Sequence, residues 1–340
     1  ARPRRPARRT SPHVRTAVVL FNLGGPDSLE SVQPFLFNLF SDKAIIRLPG
    51  PFRRLLAGII SRRRAPSAIE IYRKLGGSSP LLANTEAQAR ALEAALGEEY
   101  RCFIAMRYWH PRAEATAREV LAWRPDRLVL LPLYPQYSTA TTASSLEEWP
   151  DLGLPTALVC CWPREPGFIG VIANRVTTAL AEHPGARVLF SAHGLPERTV
   201  KRGDPYQWQI EATVAAVVAR VGRAFDYVVC YQSRVGPLRW IGPYTDAEIM
   251  RAGADGVAAI VVPIAFVSEH SETLVELDID YSHLAERSGV PAYVRLPTVG
   301  AEQGFIDSLA RLVRNAANGL QSGEGGRICP GEFGCCAFAR

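Results

Sequence analysis

The sequence predicts an α/β protein built from two doubly wound parallel sheets. Three observations lead there: short Val/Ile/Leu-rich runs alternate with longer amphipathic stretches along the whole chain, polar and aromatic residues gather just after those runs, and 340 residues suffice for two compact domains. With 47% hydrophobic and 21% charged residues, the composition is that of a globular protein, neither disordered nor embedded in a membrane.

Taken in order, the chain opens on Arg2, Arg4, Arg5, Arg8, Arg9 and Arg15 without an acid among its first fifteen residues. Those six account for the whole net charge of +6, because the other 33 basic side chains equal the 33 acidic ones. The body therefore carries no excess of positive charge for nucleic acid, and residues 1–15 read as a disordered Arg/Pro tail. That tail lacks the apolar core of a signal peptide. A strand is expected over 17–22. From Pro49 to Arg64, Phe52, Leu55, Leu56, Ile59 and Ile60 lie among arginine pairs and triplets, a pattern that suits contact with lipid headgroups or a surface helix packed on its own domain. Strands at 101–108, 127–134 and 156–162 alternate with helical patterns at 85–97 and 111–123. Further strands at 186–192, 226–232, 257–267 and 292–297 alternate with helical patterns at 168–183, 207–222 and 302–318. The expected division is an N-terminal domain over 16–155, a C-terminal domain over 156–320 and a cysteine-bearing tail over 321–340. No segment reaches the roughly 20 apolar residues that span a bilayer, so a cytoplasmic protein is expected. The longest uncharged stretch, Gly256 to Ser268, contains Pro263 and is rich in Val and Ile, which suits a buried strand.

In open parallel sheets ligands bind beyond the carboxyl ends of the strands. Those positions hold Asn22 to Pro26, Arg107 to Pro111, Tyr134 to Thr139, Ser191 to Pro196, Gln232 to Pro243 and Ser268 to Glu276. His193 stands where a strand turns into Gly194-Leu195-Pro196, so its imidazole can point into a cleft and serve as base or metal ligand. After the apolar strand, Glu272, Glu276 and Asp280 recur every four residues and place three carboxylates on one helix face. The row is either a solvated face or a path for metal ions or protons. Oxygen and imidazole donors suit Fe²⁺ held transiently, whereas a thiolate cage would retain it. Trp240 lies in a Gly/Pro-rich loop, where it packs on its own domain or stacks on a flat macrocycle; Tyr108 and Tyr134 pose the same choice. Cys102 and Cys230 fall inside strands. Cys329, Cys335 and Cys336 crowd the last dozen residues, and with Cys160 or Cys161 they match the four thiolates of a [2Fe–2S] cluster, with zinc or redox thiols as competitors.

Together these motifs, with Gly203-Asp204-Pro205-Tyr206, resemble the ferrochelatase family over residues 17 to 318. The resemblance implies two Rossmann-like, chelatase-like domains with a porphyrin in the cleft between them, and insertion of Fe²⁺ into protoporphyrin IX as the last step of haem synthesis. It makes His193 and Glu272 the pair facing the macrocycle, as iron ligands or proton acceptors. Glu269, Glu276 and Asp280 become an acidic conduit, while Leu23, Arg107, Tyr108, Gln232 and Trp240 line the porphyrin pocket. Leu23 stands where coproporphyrin-using relatives have tyrosine, which favours protoporphyrin. The macrocycle is expected to be held bent between Trp240, Tyr108 and the opposite wall. The segment from Pro34 to Arg64 resembles the family's apolar lip at a membrane surface, making the protein peripheral at the membrane's inner face. The tail resembles the subgroup that carries a C-terminal [2Fe–2S] cluster, with one departure. Thr139 occupies the place of the upstream ligand in animal-type members, so Cys161 is preferred to Cys160 as the fourth thiolate. A chelatase for another tetrapyrrole or metal and a non-catalytic tetrapyrrole or iron carrier are the rival readings.

Overall fold

The computed structural model describes residues 14–339 apart from Val235. Most of the arginine run expected as a tail, residues 1–13, lies outside the described residues. Arg15, assigned to that tail, already belongs to the fold: its amide donates to Asp126 Oδ2 at 2.7 Å, and its guanidinium lies 4.3 Å above the Trp123 ring.

The strands are β1 (Thr16–Asn22), β2 (Tyr100–Met106), β3 (Arg127–Pro132), β4 (Thr156–Val159), β5 (Arg187–His193), β6 (Tyr227–Gln232), β7 (Ala259–Pro263), β8 (Tyr293–Arg295) and β9 (Gly319–Gln321). They form a sheet ordered β2-β1-β3-β4-β9 and a second ordered β6-β5-β7-β8, with every pairing parallel. The central strands β1, β5 and β7 are buried almost throughout, as a sheet covered on both faces requires.

The expected boundary at 155/156 is corrected by the strand pairing. β4, which was to open the second domain, hydrogen-bonds to β3 and completes the first sheet, and β9 returns to that sheet after the second is finished. β9 escaped the sequence reading because three residues at a sheet edge carry no periodicity. Nor are the two cores separate. One apolar cluster runs from Val18 and Leu20 on β1 through Val159 on β4 and Phe168 to Val188 and Phe190 on β5 and Ile260 on β7.

Three early helices, α1 (Val32–Phe40), α2 (Gly50–Lys74) and α3 (Leu81–Leu96), frame the rim of the first sheet. The inner side of α2 is buried at Ala57, Ser61, Ala65 and Tyr72, while its outer side exposes Phe52 by 65% and Leu55 by 67% beside Arg54 and Arg62 to Arg64. On α3, buried Gln88 donates to the Val267 carbonyl at 3.0 Å and the Gly300 carbonyl at 2.9 Å, and Asn84 donates to the Glu269 carbonyl at 3.0 Å. Thus the first half grips the segment of the second that follows β7. Among the described residues no helix is long and apolar enough to cross a membrane.

Candidate active site

β5 and β6 run in register so that His193 ends beside Gln232. A Cβ on Gly194 would stand 3.2 Å from both the Gln232 carbonyl oxygen and the Trp240 ring, so a larger residue there would have to push one of them aside by a few tenths of an ångström. The Trp240 ring lies edge-on to the His193 imidazole, with centroids 6.3 Å apart.

Opposite them runs Glu272–Asp280, expected as an α-helix and found as a π-helix. Its widened turns hydrogen-bond i to i+5, as between the Glu276 carbonyl and the Tyr281 amide, a geometry concentrated at functional sites. Neighbouring side chains occupy the bulge. Tyr293 donates its hydroxyl to the Leu277 carbonyl at 2.7 Å, and Arg295 forks onto both oxygens of Asp278. Thr273, Val275 and Leu277 face inward, while Glu272 and Glu276 turn to the rim.

His193 Nδ1 meets Glu272 Oε2 at 2.8 Å. Both stay accessible, with 37% of the imidazole side chain and 24% of the glutamate side chain exposed. Burial opposes the charge on each, yet the pair outweighs it: the His193 pKa is raised, and Glu272 is held at about 2. Glu276 moves the other way, raised first by burial and then by the charge of Glu272, so of the two carboxylates it holds a proton more readily. Gln232, expected in the pocket lining, is buried and donates to Glu276 Oε2 at 3.2 Å, while its side-chain Oε1 accepts from the Ser191 hydroxyl at 2.7 Å.

The two outer members of the acidic row stand apart from this centre. Glu269 turns away to Arg295 (2.6 Å) and the Thr298 amide (2.8 Å), partners that lower its pKa against the effect of burial. Glu269 is thus held by Arg295 and the Thr298 amide rather than by the His193–Glu272 pair. Asp280 is exposed and faces Lys74 at 3.8 Å.

Two residues expected in the pocket lining are engaged with other partners. Tyr108 is 1% exposed and gives its hydroxyl to Asp42 at 2.7 Å, so it offers no face for stacking. Arg107 is spent on Asp42 (3.0 Å), Glu148 (2.8 Å) and Ser144 (2.7 Å). Asp42 is the buried hub that the sequence reading missed. Leu23 is half-buried in the apolar cluster that includes Tyr72 and Tyr108.

Two further site residues carried no role in the sequence reading. Ser233, directly after β6, touches both Glu272 and Glu276. His270 is buried against Phe266 with centroids 4.6 Å apart, and its Nδ1 has no hydrogen-bond partner among the described residues. Burial holds it below the usual histidine range. A hydroxyl at a strand end was the only signal for the first.

The tail folds back on the end of β4. Cys161, Cys329 and Cys336 are buried, Ile328 and Phe338 pack on Cys160 and Cys161, and Gln209 donates to Cys329 Sγ at 3.1 Å. Cys161 is pushed up by its contact with Cys160 and by burial, and Cys329 to about 12 by burial. Cys335 instead donates to the Arg202 carbonyl at 3.2 Å. Among the described residues no set of three or more His, Cys, Asp or Glu side chains is closed to metal-ligating distance.

The family model described as Ferrochelatase matches residues 15–317. The ferrochelatase of Caulobacter vibrioides is 52% identical over 338 residues, covering 95% of this chain and 97% of that one. That of Phenylobacterium zucineum is also 52% identical, covering 95% and 98%. A multi-domain Deinococcus radiodurans protein with structural similarity to chelatases superimposes at a TM-score of 0.50 and 14% identity over 92% of this chain and 57% of its own, a likeness of fold.

Proposed function

Because the chain belongs to the ferrochelatase family, it inserts ferrous iron into protoporphyrin IX to give protohaem, and we propose that His193 and Glu272 perform that exchange at the macrocycle centre. One observation carries the assignment: imidazole and carboxylate, 79 positions apart in sequence, meet at 2.8 Å on the strand-end rim with both side chains accessible. Metallation removes the inner pyrrole N–H protons as the metal enters. With Nδ1–H donated to Glu272, His193 Nε2 keeps the lone pair that takes such a proton, and the carboxylate stabilises the imidazolium that forms. Glu276 then receives protons from this centre and Asp280 releases them at the surface. Trp240 supplies the aromatic wall.

The test is anaerobic iron insertion followed by absorbance. His193→Ala should lose about 100-fold or more in turnover while still unfolding cooperatively; near-normal turnover would refute the pairing.

Two finer readings join this one. Cys161, Cys329, Cys335 and Cys336 would hold a [2Fe–2S] centre. In support, Cys161, Cys329 and Cys336 are buried beside one another at the end of β4, with Cys335 next in sequence to Cys336. Such a centre carries one electron when bound, and the residues around it fasten the tail to β4. The exposed apolar ridge of α2 with its flanking arginines supports peripheral attachment to an anionic membrane surface, the medium from which a poorly soluble porphyrin would enter.

A further inference from the structure

Ser233 has φ +61°, in the left-handed region that non-glycine residues rarely adopt. Among the described residues one other non-glycine residue has positive φ, Arg124, and it ends the helix Ala113–Trp123, where a left-handed cap is ordinary. Ser233 caps no helix. It is the first residue past β6, and glycine would adopt this conformation without strain. A strained backbone that persists is an invitation to ask what the side chain does there.

The side chain stands between the two rim carboxylates. Ser233 Oγ donates to Glu276 Oε2 and lies 3.3 Å from Glu272 Oε2, while the Ser233 amide donates to Glu276 Oε1 at 3.0 Å. The left-handed turn is what aims amide and hydroxyl at the same carboxylate. From the far side, Tyr281 donates its hydroxyl to Glu276 Oε1 at 3.1 Å. The next residue anchors the turn: Arg234 pairs with Asp246, and its guanidinium stacks 4.1 Å above the Tyr244 ring.

We propose that Ser233 is a positioning residue for metallation, its strained backbone retained because the hydroxyl fixes Glu276 and Glu272 relative to each other beneath His193. Like charges on one π-helix face would otherwise splay apart, and Glu272 would drift from the imidazole. The proposal rests on the His193–Glu272 reading above. Ser233 sets the chemical step rather than porphyrin binding, because its hydroxyl and amide are directed at the two carboxylates.

The test compares Ser233→Gly, Ser233→Ala and Ser233→Thr in the full chain by anaerobic iron insertion into protoporphyrin IX, with thermal melting and His193→Ala alongside. Ser233→Gly should melt at or above the wild-type temperature while kcat falls about tenfold or more and KM for porphyrin changes less than about twofold. Ser233→Ala should lose the same activity. Ser233→Thr keeps the hydroxyl and should retain kcat within about threefold although its branched side chain lowers the melting temperature. An ordinary structural role predicts the reverse, activity following stability. Near-normal kcat in Ser233→Gly with an inactive His193→Ala would overturn the positioning role alone. Equal losses in the glycine and threonine variants would overturn it as well. An active His193→Ala would overturn the underlying site and this inference with it.

Discussion

A histidine whose pKa is raised by a neighbouring carboxylate contributes stability in one pH direction only. In the folded chain His193 binds its proton more tightly than in the unfolded one, so the stabilisation is complete below the unfolded value of about 6.5 and disappears as pH rises through the folded one. Glu272→Gln should therefore lower the melting temperature more at about pH 6 than at about pH 9; an equal drop at both would mean that the imidazole is not charged in the fold. Glu272, depressed to about 2, adds stability above the usual carboxylate range that is lost as pH falls towards that value. That His193 and Glu272 stand at one rim was legible in the sequence because residue type and strand-end position coincide, and the structure brings them to 2.8 Å. The engagement of Arg107 and Tyr108 with Asp42 was not, since that partner lies 65 and 66 positions away in no recognisable motif. Ser233 was hidden for another reason: the sign of φ leaves no trace in composition or spacing.

At the scale of elements, the π-helix depends on groups outside itself. Arg295 is 10% exposed and balances Glu269 and Asp278, so Arg295→Met leaves two carboxylates unpaired in a partly buried setting and should cost about 3 kcal/mol. Chemical denaturation checks the magnitude, and a loss under about 1 kcal/mol would show the forked pair to be a screened surface contact. The carboxylate spacing of four predicted a helix there, and a helix forms; its width was illegible, because i to i+5 bonding is decided by the neighbours that take up Leu277 and Asp278. Helix α2 raises the opposite question, what an exposed apolar side is for. If Phe52 and Leu55 enter a lipid surface, Phe52→Asp with Leu55→Asp should abolish co-sedimentation with vesicles containing anionic lipid and leave the melting temperature unchanged. Sedimentation equal to wild type would remove the membrane reading. Eight of the nine strands were legible from Val/Ile/Leu runs, and the missing one is the short edge strand β9.

The whole molecule is less divided than its two sheets suggest. The two halves share one apolar core, and the chain passes between them twice, once after β4 and again before β9. The passages lie against each other: the Gly167 amide donates to Ser308 Oγ at 2.9 Å, and Arg311 pairs with Glu165. Anaerobically purified protein should show visible absorption that Cys329→Ser lacks, and a colourless, metal-free wild type would dismiss the iron–sulfur reading. Whatever bonds Cys161 to the tail thiols does so where the first passage leaves β4 and the residues around β9 return to it. Two connections through one shared core tie the sheets together, so a fastening at that corner would secure one of those connections at its root.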